Sequence, residues 1–141
     1  MPDVDARWLI DKRVIYACAA NKGSIEFMEA HNQRMIALLN IADAPVYAIL
    51  ENRNFQPPVI GIRRTIEILS FIKHPALAHV IFINDGNPAL DMTGQLIARF
   101  IGIRFKCLES VSEALDFLSK NASDLDMSQV NTAMLEQVSQ C

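Results

Sequence analysis

Short apolar runs alternate along the chain with stretches whose apolar residues recur every three or four positions, and this pattern predicts strands that alternate with helices. Strands are predicted at 7–10, 13–20, 45–50, 78–83 and 103–108. Asp11-Lys12 separates the first two strands and is short enough for a tight hairpin turn. A helix follows each of the last four strands, so the predicted order is ββαβαβαβα.

Residues that favour the N-terminal ends of helices mark where the predicted helices begin. They are Ser24 for the first helix, Pro57-Pro58 for the second, Asn87 and Pro88 for the third, and Ser110 with Glu113 for the fourth. Ser and Asn side chains accept hydrogen bonds from the unpaired N–H groups of a first turn, and Pro at the first position loses no bond there. Gly102 suits the position just past the third helix, where left-handed backbone angles are common.

The spacing of apolar residues predicts the buried face of each helix. These faces are Phe27, Met28, Met35, Leu38 and Leu39; Val59, Ile62, Ile66 and Leu69; Leu90, Gly94, Ile97 and Ile101; and Val111, Ala114, Leu115 and Leu118. The strand at 45–50 (PVYAIL) is almost entirely apolar, as expected for a parallel strand covered on both faces. We therefore predict an α/β fold, with one mostly parallel sheet, an antiparallel N-terminal strand at its edge, and helices packed around it.

Residues 1–120 are predicted to form one domain, and residues 121–141 a C-terminal tail. Asp126 and Gln129 can cap a short amphipathic helix whose apolar side would carry Met127, Val130, Met134 and Val138. A lone helix of this length is marginal in water, so it must dock. It packs either on its own domain or across a two-fold interface. We expect a homodimer, because four helices already cover the sheet.

Composition narrows the classes of function. The 141-residue chain is 51% hydrophobic and 21% charged, as globular domains are, and its net charge of −3 offers no positive field for nucleic acid. Its apolar runs fall far short of the roughly 18 residues that cross a bilayer, and the acidic N-terminus does not read as a signal peptide. We expect a cytoplasmic protein without membrane insertion. The widely spaced Cys18, Cys107 and Cys141 are expected to be reduced thiols.

One succession of sequence features is distinctive. It consists of a helix ending in His74-Pro75, the strand HVIFI, a helix start at Asn87-Pro88, the residues GIRF from Gly102 to Phe105, and a final SEALDFL helix. This succession resembles the SpoIIAA-like (STAS-type) group of uncharacterised bacterial proteins. The resemblance implies a superhelix of successive strand–helix units and a mostly non-catalytic module. Domains of this type bind partner proteins, and some bind small ligands or are regulated by kinases.

The resemblance does not extend to the phosphorylation switch of this superfamily. Its anti-sigma-factor antagonists carry a phosphorylatable Ser at the start of the helix after the central strand. In this chain the matching stretch, 51–58 (ENRNFQPP), contains no Ser or Thr, and the nearest hydroxyl belongs to Thr65, well inside the helix. A switch of that kind is therefore not expected here.

Polar residues follow the predicted parallel strands, and the carboxyl ends of such strands form the edge at which α/β sheets bind ligands. Glu51, Asp85 and Glu109 could meet there as oxygen ligands for a divalent cation, with Asn52 or Asn84 supplying amide oxygens. The simpler interpretation is that Asp85, Asn87 and Ser110 only satisfy turns and helix N-termini. No recognised metal-binding spacing is present, so we favour the simpler interpretation.

Arginines cluster near the same edge. Arg53 precedes the second helix, and Arg63 and Arg64 lie in its first turns, where backbone N–H groups also favour an anion. The alternative is that Arg63 and Arg64 merely form the solvated face of an amphipathic helix. The candidate ligand- or partner-binding residues are Asn52, Arg53, Arg63, Arg64, Asp85 and Asn87.

The sequence contains no motif for catalysis. His31, His74 and His79 lack metal-ligand spacing, and no nucleophile elbow, phosphate loop or dinucleotide fingerprint is present. We predict no catalytic residue, metal or cofactor, and favour a non-enzymatic binding or regulatory module over an enzyme. Its partner would be a protein or a small anionic ligand. The alternative is a protein that binds a lipid or metabolite, or an enzyme that uses Glu51, Asp85 and Glu109 with a divalent metal.

Overall fold

Five strands form one sheet in the computed structural model, which describes residues 5–18, 24–51, 60–83, 88–131 and 133–134. The strands are β1 (Asp5–Ile10), β2 (Val14–Cys18), β3 (Val46–Glu51), β4 (Leu77–Ile83) and β5 (Arg104–Leu108). They lie side by side in sequence order, with β1 antiparallel to β2 and every other pair parallel. The prediction of an α/β fold with a central third strand and an antiparallel edge strand is confirmed.

Four helices connect and cover the strands. They are α1 (Ile25–Asn40), α2 (Gly61–Ile68), α3 (Pro88–Ile101) and α4 (Val111–Asn121), and short 3-10 turns span Ser70–Lys73 and Met127–Gln129. Within the described part of the chain, no helix is long and apolar enough to cross a membrane.

The predicted end signals act as expected where the structure describes them. The hydroxyl of Ser24 accepts a hydrogen bond from the N–H of Phe27 at 3.0 Å, and that of Ser110 accepts one from Glu113 at 3.1 Å. Pro88 opens α3, and Gly102 follows its end with a φ of +76°. Asn87, the expected cap of α3, lies outside the described residues.

One face of the sheet, here called the A face, is covered by α1, the 3-10 turn at Ser70–Lys73 and α3. Right-handed crossovers between parallel strands in sequential order place their helices on one side. Met35, Leu38 and Leu39 of α1 pack with Phe71 against Ile15, Ala17, Ala48, Leu50 and Val80 of the strands. Burial of each large apolar side chain stabilises the folded state by about 1.5–3 kcal/mol.

The opposite face, here called the B face, is covered by α4 and residues 122–134. Ala114, Leu118, Ala122 and Met134 pack there against Val14, Tyr16, Ile49, Ile81 and Ile83. The N–H of Asn131 donates to the carbonyl of Leu9 at 2.9 Å, so the segment reaches as far as β1. The described part of the tail therefore docks on its own chain. Four helices do leave a groove for the tail, because the three connecting helices lie on the A face and α4 shares the B face with the tail.

The described part of the tail begins with a 3-10 turn. Asp126 caps as expected, since its carboxylate accepts from the N–H of Ser128 at 3.0 Å, and the turn spans Met127–Gln129. Residues 133–134 are α-helical, and the N–H of Met134 donates to Oδ1 of Asn131 at 3.2 Å. Met127 and Val130 are half-buried, and Met134 is buried. Val138 lies outside the described residues.

A polar contact fastens this segment to the domain. Arg13, in the hairpin turn, forms an ion pair with the carboxylate of Asp124, and its Nε donates to the carbonyl of Pro45 at 3.1 Å. The hydroxyl of Tyr47 donates to the other carboxylate oxygen of Asp124 at 3.2 Å. Burial acts to raise the pKa of Asp124, but the hydrogen bond and charge of Arg13 outweigh it, so the pKa lies below its usual value.

Helix α2 is shorter than the apolar pattern predicts. Ile66 is buried and Leu69 half-buried as expected, but Ile62 is exposed. The prediction for Ile62 is wrong because it lies in the first turn of α2, where residues 61–64 are all exposed. Val59, the other expected member of that stripe, lies outside the described residues.

The cysteines also depart from expectation. Cys18 is buried at the end of β2 and is disulfide-bonded, so the prediction of a reduced thiol is wrong for this residue. Cys107 lies half-buried on β5. The wide spacing of cysteines in the sequence does not reveal which of them the fold brings together.

Gly94 allows α3 to approach β5 closely. A Cβ atom at this position would lie 2.8 Å from Cε2 of Phe105 and closer still to its Cζ, a contact that cannot form without movement. The Phe105 ring is held in turn by an edge-to-face contact with Phe82, with ring centroids 4.8 Å apart. The glycine is therefore required by packing.

Gly94→Ala is expected to lower the free energy of unfolding by about 1–3 kcal/mol, because the cost of overpacking exceeds the gain of up to about 1 kcal/mol in helix propensity. Urea denaturation measures the change. The matched background is Phe105→Leu, which removes the ring, and there Gly94→Ala should be neutral or stabilising. Destabilisation of equal size in both backgrounds would contradict the proposed contact.

Candidate functional site

The carboxyl ends of the parallel strands form one edge of the sheet, here called the carboxyl rim. Strand register places Cys18, Glu51, Ile83 and Leu108 in a row across β2 to β5 at this edge. Of the segments that follow these strands, the structure describes Ser24, residues from Ile60 onward, and Glu109 with Ser110. The candidate residues Asn52, Arg53, Asp85 and Asn87 lie outside the described residues, as does Asn84.

Glu51 is a buried carboxylate at the rim. It is 4% exposed and accepts a hydrogen bond from the hydroxyl of Tyr16, which is itself 2% exposed. Both side chains lie on the B face, because Tyr47, Ile49 and Glu51 alternate with residues of the A face along β3. A carboxylate removed from water needs strong donors, and the phenol supplies one. This hydrogen bond between two neighbouring strands gives the apolar B face a specific polar contact.

Of the three expected rim carboxylates, the structure describes Glu51 and Glu109. Glu109 is exposed after β5, and β4 lies between the strands that carry Glu51 and Glu109. At about 4.8 Å per strand, the two chain positions are roughly 10 Å apart. Asp85 lies outside the described residues. Among the residues that are described, no group of three His, Cys, Asp or Glu side chains could hold a metal ion.

Arg63 and Arg64 lie where the sequence predicts them. Both are exposed in the first turns of α2, with no acidic residue in the first turn and no side-chain cap from Ile60. In a strand–helix crossover the helix starts at the carboxyl edge, so these turns belong to the rim. Neither guanidinium forms an ion pair within the described residues. Backbone N–H groups at the helix start and the two guanidinium groups favour an anion at the same place.

Thr65, the nearest hydroxyl to the start of α2, is engaged within the helix. Its Oγ1 donates to the carbonyl of Gly61 at 2.8 Å. This local bond is typical of Thr inside a helix, and it directs the hydroxyl along the helix axis.

A second polar region, which sequence analysis did not single out, lies on the B face at the other end of the strands. Tyr47, His79 and Arg104 occupy one row across β3, β4 and β5, and Lys106 lies one row further along β5. The alternation of Arg104 and Lys106 with Phe105 and Cys107 was a signal in the sequence. Without strand register, however, that alternation does not indicate which other residues share the face.

His31 is a buried histidine in α1. Its ring stacks on Phe27 with centroids 5.9 Å apart and meets the edge of Phe71 at 5.5 Å, and its Nδ1 has no hydrogen-bond partner. Burial lowers its pKa from 6.5 to about 4, because a charged imidazolium is poorly solvated between two aromatic rings. The neutral ring serves as a core side chain.

Comparisons with protein-family models, with curated proteins and with solved structures found no significant match.

Tyr16→Phe is expected to lower the free energy of unfolding by about 1–3 kcal/mol, because buried Glu51 loses a donor while the ring volume is kept. The matched control is Tyr47→Phe, which removes an exposed hydrogen bond to Asp124 and should cost at most about 1 kcal/mol. Chemical denaturation at pH 7.5 measures the free energy of unfolding of the two variants and of wild type. Equal costs for the two variants would show that the bond between Tyr16 and Glu51 adds nothing to stability.

His31 is expected to make the fold sensitive to acid. Its pKa is about 4 in the folded chain, against about 6.5 when unfolded, so the unfolded state takes up the proton first and stability falls as pH drops below 6.5. Between pH 7.5 and pH 5, protonation of this residue should lower the free energy of unfolding by about 2 kcal/mol. Urea denaturation of wild type and His31→Leu at both pH values measures the difference. If the free energy of unfolding fell equally with pH in the two proteins, His31 would not be the source of the acid sensitivity.

Proposed function

We propose that this chain is a non-enzymatic binding module of the SpoIIAA-like kind that takes an anionic group at the carboxyl rim of its sheet. The single observation that carries the proposal is the start of α2, where two exposed arginines accompany a first turn without an acidic residue. The anion is a small ligand or an acidic group on a partner protein. The family part of the proposal rests on the sequence resemblance over residues 74–118.

A binding function agrees with the chemistry of the rim better than catalysis does. Glu51 is engaged by Tyr16 under the B face, and Glu109 lies exposed two strands away. General acid–base chemistry needs a titratable group within reach of a substrate, and metal catalysis needs converging ligands. The described rim offers two exposed guanidinium groups at the start of α2 instead. An enzyme that uses Glu51, Asp85 and Glu109 with a divalent metal remains the alternative.

NMR with ¹⁵N-labelled protein tests this function, with inorganic phosphate, citrate and a polyglutamate peptide as probes at constant ionic strength. At least one probe should shift the amides of Gly61, Ile62 and Arg63 saturably. Arg63→Ala with Arg64→Ala should weaken that binding about tenfold or more, because two charged donors are removed.

The matched control removes two positive charges elsewhere, through Lys73→Ala with Arg99→Ala, since both side chains are exposed and lie in the last turns of the 3-10 segment and of α3, away from the helix starts that form the rim. This control should bind the probe as wild type does. The proposed function would be overturned if none of the three probes shifted the amides of Gly61–Arg63. It would also be overturned if the two double variants lost affinity for the probe to the same extent.

A further inference from the structure

Three basic side chains from adjacent strands share the B face, and two of them contact one aromatic ring. His79 of β4 and Arg104 of β5 are register partners, and Lys106 follows two residues along the same face of β5. The ring of Phe117 meets His79 edge-on with centroids 5.3 Å apart, and Nζ of Lys106 lies 5.8 Å from the centre of that ring. His79, Arg104 and Lys106 are called the cationic cluster below.

The carboxylates of α4 and of the turn after it that are described make other contacts. Asp124 accepts from Arg13 and Tyr47, Asp116 pairs with Lys120 at 3.0 Å, and Glu113 accepts from the N–H of Glu109 at 2.9 Å. Arg104 and Lys106 are both exposed and form no ion pair within the described residues. Two cations about 7 Å apart along one strand, on a chain whose net charge is negative, are thus left without a partner of opposite charge.

His79 adds a second and independent observation. Its Nε2 is buried and has no hydrogen-bond partner, although buried polar atoms in folded proteins nearly always have one. The nitrogen lies in the same row as Arg104, between Tyr47 and the cationic strand β5. The hydroxyl of Tyr47 donates to Asp124. An oxyanion that sits on Arg104 and Lys106 would provide an acceptor for the imidazole.

We propose that the cationic cluster binds a phosphate-type dianion, either free or as a phosphomonoester. The planar guanidinium of Arg104 suits two oxygens at once, the ammonium of Lys106 adds a point charge, and His79 donates from the sheet side. The cluster lies toward the amino-terminal ends of β4 and β5, so it is separate from the start of α2 at the carboxyl rim.

Binding at this cluster is coupled to protonation of His79. Burial and the charges of Arg104 and Lys106 lower the pKa of His79 in the unliganded protein. Tyr47 faces it from β3, and the ring that α4 presents to it, Phe117, carries no charge. A bound dianion offsets the two cations and favours the imidazolium, so the pKa rises on binding. By linkage, affinity then increases as pH falls.

NMR titration tests the proposal, with sulfate as the first probe because it remains a dianion across the pH range, and chloride to hold ionic strength constant. Sulfate should shift the resonances of His79 and β5 saturably. Saturation should raise the pKa of His79 by about one, which corresponds to affinity about tenfold higher for the protonated form. Inorganic phosphate and O-phosphoserine are then titrated at pH 7.5, and their affinities are compared. Tighter binding of the ester identifies a phosphomonoester as the ligand, and tighter binding of phosphate identifies the free ion.

Arg104→Gln with Lys106→Gln should weaken sulfate about tenfold or more and abolish the change in the pKa of His79. The matched control, Lys73→Gln with Arg99→Gln, removes the same charge and should bind as wild type does. Arg63→Ala with Arg64→Ala should leave the signals of His79 and β5 unchanged, which distinguishes this site from the carboxyl rim. Unaltered affinity in the Arg104/Lys106 variant, a pKa of His79 that sulfate does not move, or no binding of any probe would each overturn the proposal.

Discussion

The right-handed crossover governs the arrangement of this molecule. Strands β2 to β5 lie in sequential order, so every connecting helix falls on the A face. The B face, which is equally apolar at its centre, must be covered by whatever part of the chain remains. Helix α4 and residues 122–134 provide that cover, and their limited width explains why polar and charged side chains are tolerated along the rest of the face.

Local features of the fold were predictable from sequence because they rest on interactions within a few residues. Ser24 and Ser110 cap helices, Gly102 ends one, and the apolar run in β3 marks the centre of the sheet. The errors concern contacts between distant parts of the chain. Ile62 fits a helical stripe, but it is exposed in the first turn of α2, and the disulfide of Cys18 depends on which residues the folded chain brings together.

In the candidate site, too, local features were predictable from the sequence and contacts between distant residues were not. The exposure of Arg63 and Arg64 followed from their position off the apolar stripe of α2. The burial of Glu51 did not, because a charged residue at a strand end ordinarily indicates a solvated rim, and only the pairing of β2 with β3 places the phenol of Tyr16 beside it. His79, Arg104 and Lys106 likewise become neighbours through strand register, which single-strand periodicity does not contain.

The cover of the B face has a consequence for biosynthesis. Arg13 and Asp124 are 111 positions apart, and Asn131 closes onto Leu9, so the N-terminal hairpin gains its final contacts from some of the later residues to be translated. At roughly 5–20 residues per second, the ribosome needs several seconds to add that stretch of chain. During this interval Leu9, Ile10 and Val14 lack their cover. A chain that has not yet been extended through these residues therefore exposes apolar strand residues that the finished fold covers.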